Sequence, residues 1–163
     1  MSRIRLAVIG AGAIGRKHID VIQQTPEAEL VALADPSPQA QALAKSLGVA
    51  WYAEVNDMLD QAQPQGVINA TPNTLHVPYA IACVERGIPV LVEKPVAESP
   101  ERAQELVEVA TRHGVPVLVG HHRRHNALTA AAKSLIDRGE LGTIVAVSAH
   151  WILQKPHDYF DVA

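Results

Sequence analysis

Three glycines and one aspartate near the start of the chain have the types and spacing to hold a phosphate and a sugar. Gly10-Ala11-Gly12-Ala13-Ile14-Gly15 is a G-x-G-x-x-G placed between an apolar run, Ile4 to Ile9, and a helical segment that begins at Ala13. In that setting Gly10 permits a tight turn, and Gly12 lets the backbone approach a pyrophosphate with no Cβ in the way. Gly15 lets the helix pack close to the sheet. The free N–H groups of Gly12, Ala13 and Ile14 and the dipole of the helix N-terminus would face the phosphates. Asp35 follows at the end of a second apolar run, about twenty residues after Gly15, where an acid that binds ribose hydroxyls is expected. A carboxylate there would repel a 2′-phosphate, and Pro36-Ser37 follows it instead of an arginine. The expectation is NAD, with NADP disfavoured.

A second group could move protons. Glu93-Lys94-Pro95 follows a fifth apolar run, on the carboxyl edge where doubly wound sheets bind ligands. Alcohol oxidation by a nicotinamide needs a proton acceptor, and a lysine serves if burial or a nearby cation favours its neutral form. Glu93 acts the other way on charge. Lys94 is therefore expected to help mainly by position, or as one link in a relay.

Other reactive side chains read as structural. His121 and His125 stand four apart and could share a helix face around a metal. The segment follows a strand, however, and carries Arg123 and Arg124, which repel a cation; a polar loop without metal is expected. Cys83 is flanked by Ala82 and Val84 within a helical stretch and reads as a small core residue. Glu101, Glu105 and Glu108 mark a solvated helix face.

The elements that must position these residues alternate strictly. Strands are predicted at Ile4 to Ile9, Glu29 to Ala34, Val49 to Tyr52, Gly66 to Ala70, Pro89 to Val92 and Pro116 to Val119. Helices are predicted at Ala13 to Gln24, from Ser37-Pro38 to Leu47, at Val55 to Gln61, at Thr74 to Arg86, and from Ser99-Pro100 to His113. Serine caps, first-turn prolines and closing glycines mark their ends. This is an α/β doubly wound parallel sheet, a Rossmann fold. A further helix, Leu128 to Arg138, and an alternating seventh strand, Thr143 to Trp151, are surplus to that sheet.

Composition agrees. The 163 residues are 48% hydrophobic and 19% charged, enough apolar surface for a core of Val, Ile, Leu and Ala. A net charge of -3 argues against nucleic acid and anionic membrane as partners. A single cysteine excludes an internal disulfide and suits a reducing cytoplasm. The apolar run Leu6 to Ile9 breaks at once into glycines, so it reads as a strand and not a leader peptide.

Fingerprint, Ala70-Thr71-Pro72-Asn73 with His76, and Glu93-Lys94-Pro95 stand in one order that resembles the Gfo/Idh/MocA oxidoreductases. Gly120-His121-His122-Arg123-Arg124 looks like that family's next cofactor loop, and Ile136 to Gly142 resembles the stretch leading into its second domain. The resemblance implies hydride transfer between NAD(P) and a hydroxyl-bearing carbon, often of a sugar or cyclic polyol. It implies that Lys94 assists proton transfer and contacts substrate or the nicotinamide ribose, and that the Lys94–Pro95 bond is cis. Thr71, Pro72, Asn73 and His76 would line the cofactor groove beside Glu93 and Pro95, with Arg123 or Arg124 near the nicotinamide.

The same resemblance implies a Rossmann domain over residues 1–123 and, over 124–163, the start of a second α+β domain: a linker helix with the first strand of a C-terminal substrate domain. The family's second domain supplies the substrate pocket, an Asp and a His that complete the active site, and the usual homo-oligomer interface. His150, His157, Asp158 and Asp161 come too early for that role, and Trp151 reads as packing for the domain. A chain of this extent is expected to bind NAD and to turn over poorly alone. The alternative is a non-catalytic NAD-binding sensor or regulatory module.

Overall fold

A computed structural model describes residues 2–150 and 152–154. The chain divides into two compact units, Met1–His121 and His122–Ala163.

The first unit is built on six parallel strands: β1 (Ile4–Ile9), β2 (Ala28–Ala34), β3 (Ala50–Tyr52), β4 (Gly66–Asn69), β5 (Val90–Val92) and β6 (Val117–Val119). Their spatial order is β3-β2-β1-β4-β5-β6. The order reverses between β1 and β4, and that reversal opens a crevice at the carboxyl ends of the strands. Ile9 pairs with Ala34 on one side and with Asn69 on the other, so Gly10, Asp35 and Ala70 leave the sheet side by side.

Five helices cover the sheet: α1 (Ala13–Gln24), α2 (Pro38–Leu47), α3 (Val55–Ala62), α4 (His76–Glu85) and α5 (Pro100–His113). Side chains alternate across a strand, and β1 shows the result. Val8 joins Ile19 and Ile22 of α1 and Ala40 and Ala44 of α2 in one core cluster. Ala7 and Ile9 join residues of α3, α4 and α5 in the other. Small alanines on α2 bring its axis close to the sheet, and each fully buried Val, Ile or Leu adds about 1.5–3 kcal/mol.

Local signals set the helix ends. Ser37 and Ser99 accept from the backbone N–H groups of Ala40 and Arg102, each followed by proline at the first helical position. Gly48 and Gly114 close the same helices in the left-handed conformation. Most predicted boundaries move by a residue at most, and the largest change comes at the start of α4. The segment expected to be helical from Thr74 begins as a 3-10 turn, Asn73–Leu75, and becomes α-helical only at His76. The Leu75 N–H bonds the Pro72 carbonyl and tightens the chain there.

The second unit contains a 3-10 turn, His122–His125, and α6 (Ala127–Asp137), whose Asn126 cap accepts from the Leu128 N–H. The predicted seventh strand is corrected. Residues 143–150 form no strand, and Val145 and Val147 are 94% and 83% exposed. The alternation is present, but a strand needs a neighbour's backbone, and none of the described residues pairs with it. Trp151, His157, Asp158 and Asp161 lie outside the described residues.

Candidate cofactor and active site

The phosphate turn and the sugar acid meet through one hydrogen bond. The Ala11 N–H donates to Asp35 Oδ2 at 2.8 Å, and the Ser37 N–H donates to Oδ1 at 2.8 Å. Trp51 Nε1 donates to the Asp35 carbonyl, and the Asp35 N–H bonds Tyr52, so β3 fixes the backbone that carries the acid. Burial pushes the Asp35 carboxyl up. Hydrogen bonds from the Ala11 backbone and from the Ser37 hydroxyl and backbone, with the Arg16 charge nearby, outweigh it and hold the group below its ordinary 3.8.

The three glycines do different work. Gly10 sits at φ +89°, and a Cβ there would come 2.8 Å from the Ala70 carbonyl oxygen. A Cβ on Gly15 would lie 1.8 Å from the Gly10 carbonyl oxygen, so the helix packs on its own turn. A Cβ on Gly12 would meet nothing within 4 Å. Gly12 is therefore not demanded by the packing; it leaves open the space over the helix N-terminus. Gly12, Ala13 and Ile14 precede the first intrahelical N–H bond, Arg16 to Gly12, and their N–H groups have no acceptor among the described residues. A pyrophosphate fits that donor set.

A cleft of about 280 Å³ continues from this turn. Gly10, Asp35, Pro36, Thr71, Leu75 and Tyr79 are among its walls. It is mainly apolar with a carboxylate at one end, as suits a flat heterocycle joined to a ribose. Pro36, Leu75 and Tyr79 were not foreseen, because nothing local marks a residue as facing a cleft. Larger grooves among the described residues lie away from the phosphate turn: one is bordered by Gln23 to Pro26 at the far end of α1, another by the outer side of α2.

The ends of β4 and β5 are joined by a buried polar network. Asn69 is fully buried and donates to the His76 carbonyl at 3.0 Å. Its Oδ1 accepts from the Thr71 hydroxyl at 2.7 Å and from the Thr71 N–H. The His76 ring bridges outward, with Nδ1 2.7 Å from the Pro95 carbonyl oxygen and Nε2 2.9 Å from the Thr71 carbonyl oxygen. This corrects the expectation that His76 lines the groove: it is 1% exposed and lies beneath it, binding one loop to the other. The Thr71 side chain is likewise engaged inward, while Pro72 and Asn73 are exposed. Asn69 was missed; a lone Asn ending a Val-Ile strand was its only trace.

The Lys94–Pro95 peptide is cis, and Lys94 is exposed. Glu93 is partly buried. Its Oε1 lies 2.8 Å from His18 Nε2, and its Oε2 accepts from the Lys94 N–H at 3.3 Å. His18 was also missed. The signal was a polar residue on the packed face of α1, between Gly15 and Ile22. Arg123 falls in the second unit, where its carbonyl accepts from the Asn126 N–H. Among the described residues no three His, Cys, Asp or Glu side chains group to hold a metal ion. Cys83 is fully buried, and burial pushes its thiol up to about 12.

Residues 4–121 match the family described as an oxidoreductase family with an NAD-binding Rossmann fold. The chain belongs to the Gfo/Idh/MocA oxidoreductase family. It is 31% identical to the rhizopine catabolism protein MocA of Rhizobium meliloti, over 98% of this chain and 51% of that protein. It is 34% identical to scyllo-inositol 2-dehydrogenase (NAD(+)) of Bacillus subtilis strain 168, over 86% of this chain and 42% of that one. Among solved structures, the WlbA dehydrogenase from Bordetella pertussis, crystallised with NADH and UDP-GlcNAcA, is 34% identical with a TM-score of 0.81. That alignment covers 86% of this chain and 43% of WlbA. The chain thus spans about half the length of the curated relatives it matches.

Proposed function

We propose that this chain is the cofactor-binding half of an NAD-dependent dehydrogenase that oxidises a hydroxyl-bearing carbon of a sugar or cyclic polyol. The observation that carries the proposal is the Ala11–Asp35 hydrogen bond, because it sets a phosphate cradle and a ribose acid on one rim. Relatives named for inositol and crystallised with a sugar nucleotide support the substrate class.

The amides of Gly12, Ala13 and Ile14 take the pyrophosphate, and Asp35 takes the adenosine ribose hydroxyls. Asp35 also disfavours a 2′-phosphate. Thr71, Pro72 and Asn73 border the groove, with Glu93, Lys94 and Pro95 at the next strand end. Bound NAD would supply the hydride acceptor. Lys94 is the catalytic residue: its amine holds or passes the proton released at the substrate hydroxyl. Arg123 lies in the segment assigned to the nicotinamide end. In this reading the Rossmann domain expected over residues 1–123 corresponds, to within two residues, to the unit Met1–His121, and the segment expected over 124–163 opens the domain that encloses substrate and forms a homo-oligomer. The proposed location is the cytoplasm, whose reducing conditions suit a chain with a single cysteine.

Calorimetric titration of NAD and NADP tests the proposal. NAD should bind, NADP should bind at least tenfold more weakly, and Gly12→Ala should lose NAD without losing the fold. Failure of both nucleotides to bind would remove the proposal. Binding without turnover, in a chain completed by its second domain and offered a panel of polyols and sugars, would favour the sensor alternative.

A further inference from the structure

Lys94 is useful as a proton acceptor only while its lone pair is available, and the residue before it is an acid. A carboxylate paired with the ammonium would favour the charged form and withhold that lone pair. Yet among the described residues Lys94 forms no ion pair with Glu93.

The reason lies in what surrounds the Glu93 carboxylate. From α1, His18 Nε2 meets Oε1 at 2.8 Å, with the two side chains 24% and 16% exposed. From its own turn, the Lys94 N–H donates to Oε2. From the end of β6, Gly120 closes the remaining side: a Cβ there would come 2.8 Å from Oε1. The Glu93 backbone is fixed as well, its N–H on the Asn69 carbonyl of β4. Among the described residues, the titratable side chain recorded against this carboxylate is His18, from across the strand ends, and Lys94 is its neighbour on the same turn. His76 acts one step away, through the Pro95 carbonyl.

We propose that His18 is a positioning residue for Lys94: it holds the Glu93 carboxylate against α1 and so keeps it off the Lys94 ammonium. The inference rests on Lys94 being the proton-handling group proposed above, but its geometry does not depend on bound nucleotide. It explains why a half-buried histidine stands on the packed face of the first helix, 75 positions from the acid it contacts. Either state of the ring serves, since a neutral ring donates from Nε2 and a charged ring adds attraction.

The test measures the amine itself. The chain is treated at pH 8 with a limiting acetylating reagent, and the acylation rate of Lys94 is read by peptide mass spectrometry, with Lys17 and Lys45 as internal controls. His18→Ala should slow Lys94 by about two- to fivefold, the fold-change an exposed ion pair supports, and leave the control lysines unchanged. His18→Gln, which keeps an N–H donor, should hold Lys94 near the original rate. Adding Glu93→Gln to His18→Ala should restore the rate, because the competing charge is gone. An unchanged Lys94 rate in His18→Ala would overturn the proposal. So would a slowing that persists in the double variant, since a merely structural disturbance would survive removal of the charge. Loss of NAD binding would instead strike the functional proposal and leave this result readable.

Discussion

The two halves of the carboxyl rim are held by different means. At β1 and β2 the backbone does most of the work: a glycine turn, helix amides with no acceptor among the described residues, and one carboxylate that accepts backbone N–H groups on both oxygens. At β4 and β5 side chains do it: Asn69, Thr71 and His76 are buried or half-buried and bonded to each other or to carbonyls of the neighbouring loop. The first arrangement leaves backbone donors open toward a ligand. The second engages nearly all its polar groups internally, and so fixes the turn that presents Lys94.

The largest effect on that contrast should come from Gly15→Ala. A Cβ 1.8 Å from the Gly10 carbonyl cannot be accommodated without moving the turn. A cost at or above the upper end of the about 1–3 kcal/mol typical of overpacking is expected, with Tm lowered by about 10 °C. Thermal melts of Gly15→Ala and Gly12→Ala side by side measure it, and equal Tm values would contradict the division of roles.

Next comes His76→Ala. It removes the ring that lies between the Thr71 and Pro95 carbonyls, with the hydrogen bonding it supplies, and opens a cavity, for a loss of about 2–4 kcal/mol. Urea unfolding reads the loss. A change below about 0.5 kcal/mol, in the range of ordinary surface substitutions, would show that the bridge does not hold the loops together.

Asp35→Ala should weaken NAD by about 10- to 100-fold, the range for hydrogen bonds to a charged group. It should also alter acid stability in a defined direction. The folded carboxyl titrates below its ordinary 3.8, so its contribution is complete above that value and disappears as pH falls through the folded one. The gap in stability between the native chain and Asp35→Ala should therefore narrow below about pH 4; a gap that widens there would have the wrong sign. The smallest effect is at Cys83. With its thiol pushed up to about 12 by burial, it should resist iodoacetamide at pH 8 until the chain is unfolded, and rapid labelling of the native chain would contradict its burial.

The same contrast explains what could be read from the chain beforehand. The glycine turn, Asp35, the serine caps and the six strands are local patterns, each carried by a few consecutive residues and a period of two or 3.6. The β4–β5 network is not local. His76 meets Pro95 and His18 meets Glu93 only because the sheet order brings their strand ends together. Sequence therefore placed His76 in the right loop and on the wrong side of it. The alternation read as a strand at Thr143 to Trp151 misled, over its described residues 143–150, for a related reason: a period of two reports what a strand would bury, not whether a neighbour is there to pair with it.

The central claim is that the β1–β2 rim receives the nucleotide. Its most direct test is a titration of NAD into the isotopically labelled chain, followed by backbone amide resonances. The account predicts that the amides of Gly12, Ala13 and Ile14 shift most, with Asp35 close behind. Shifts centred instead on Gln23 to Glu29, around the larger groove at the far end of α1, would contradict it.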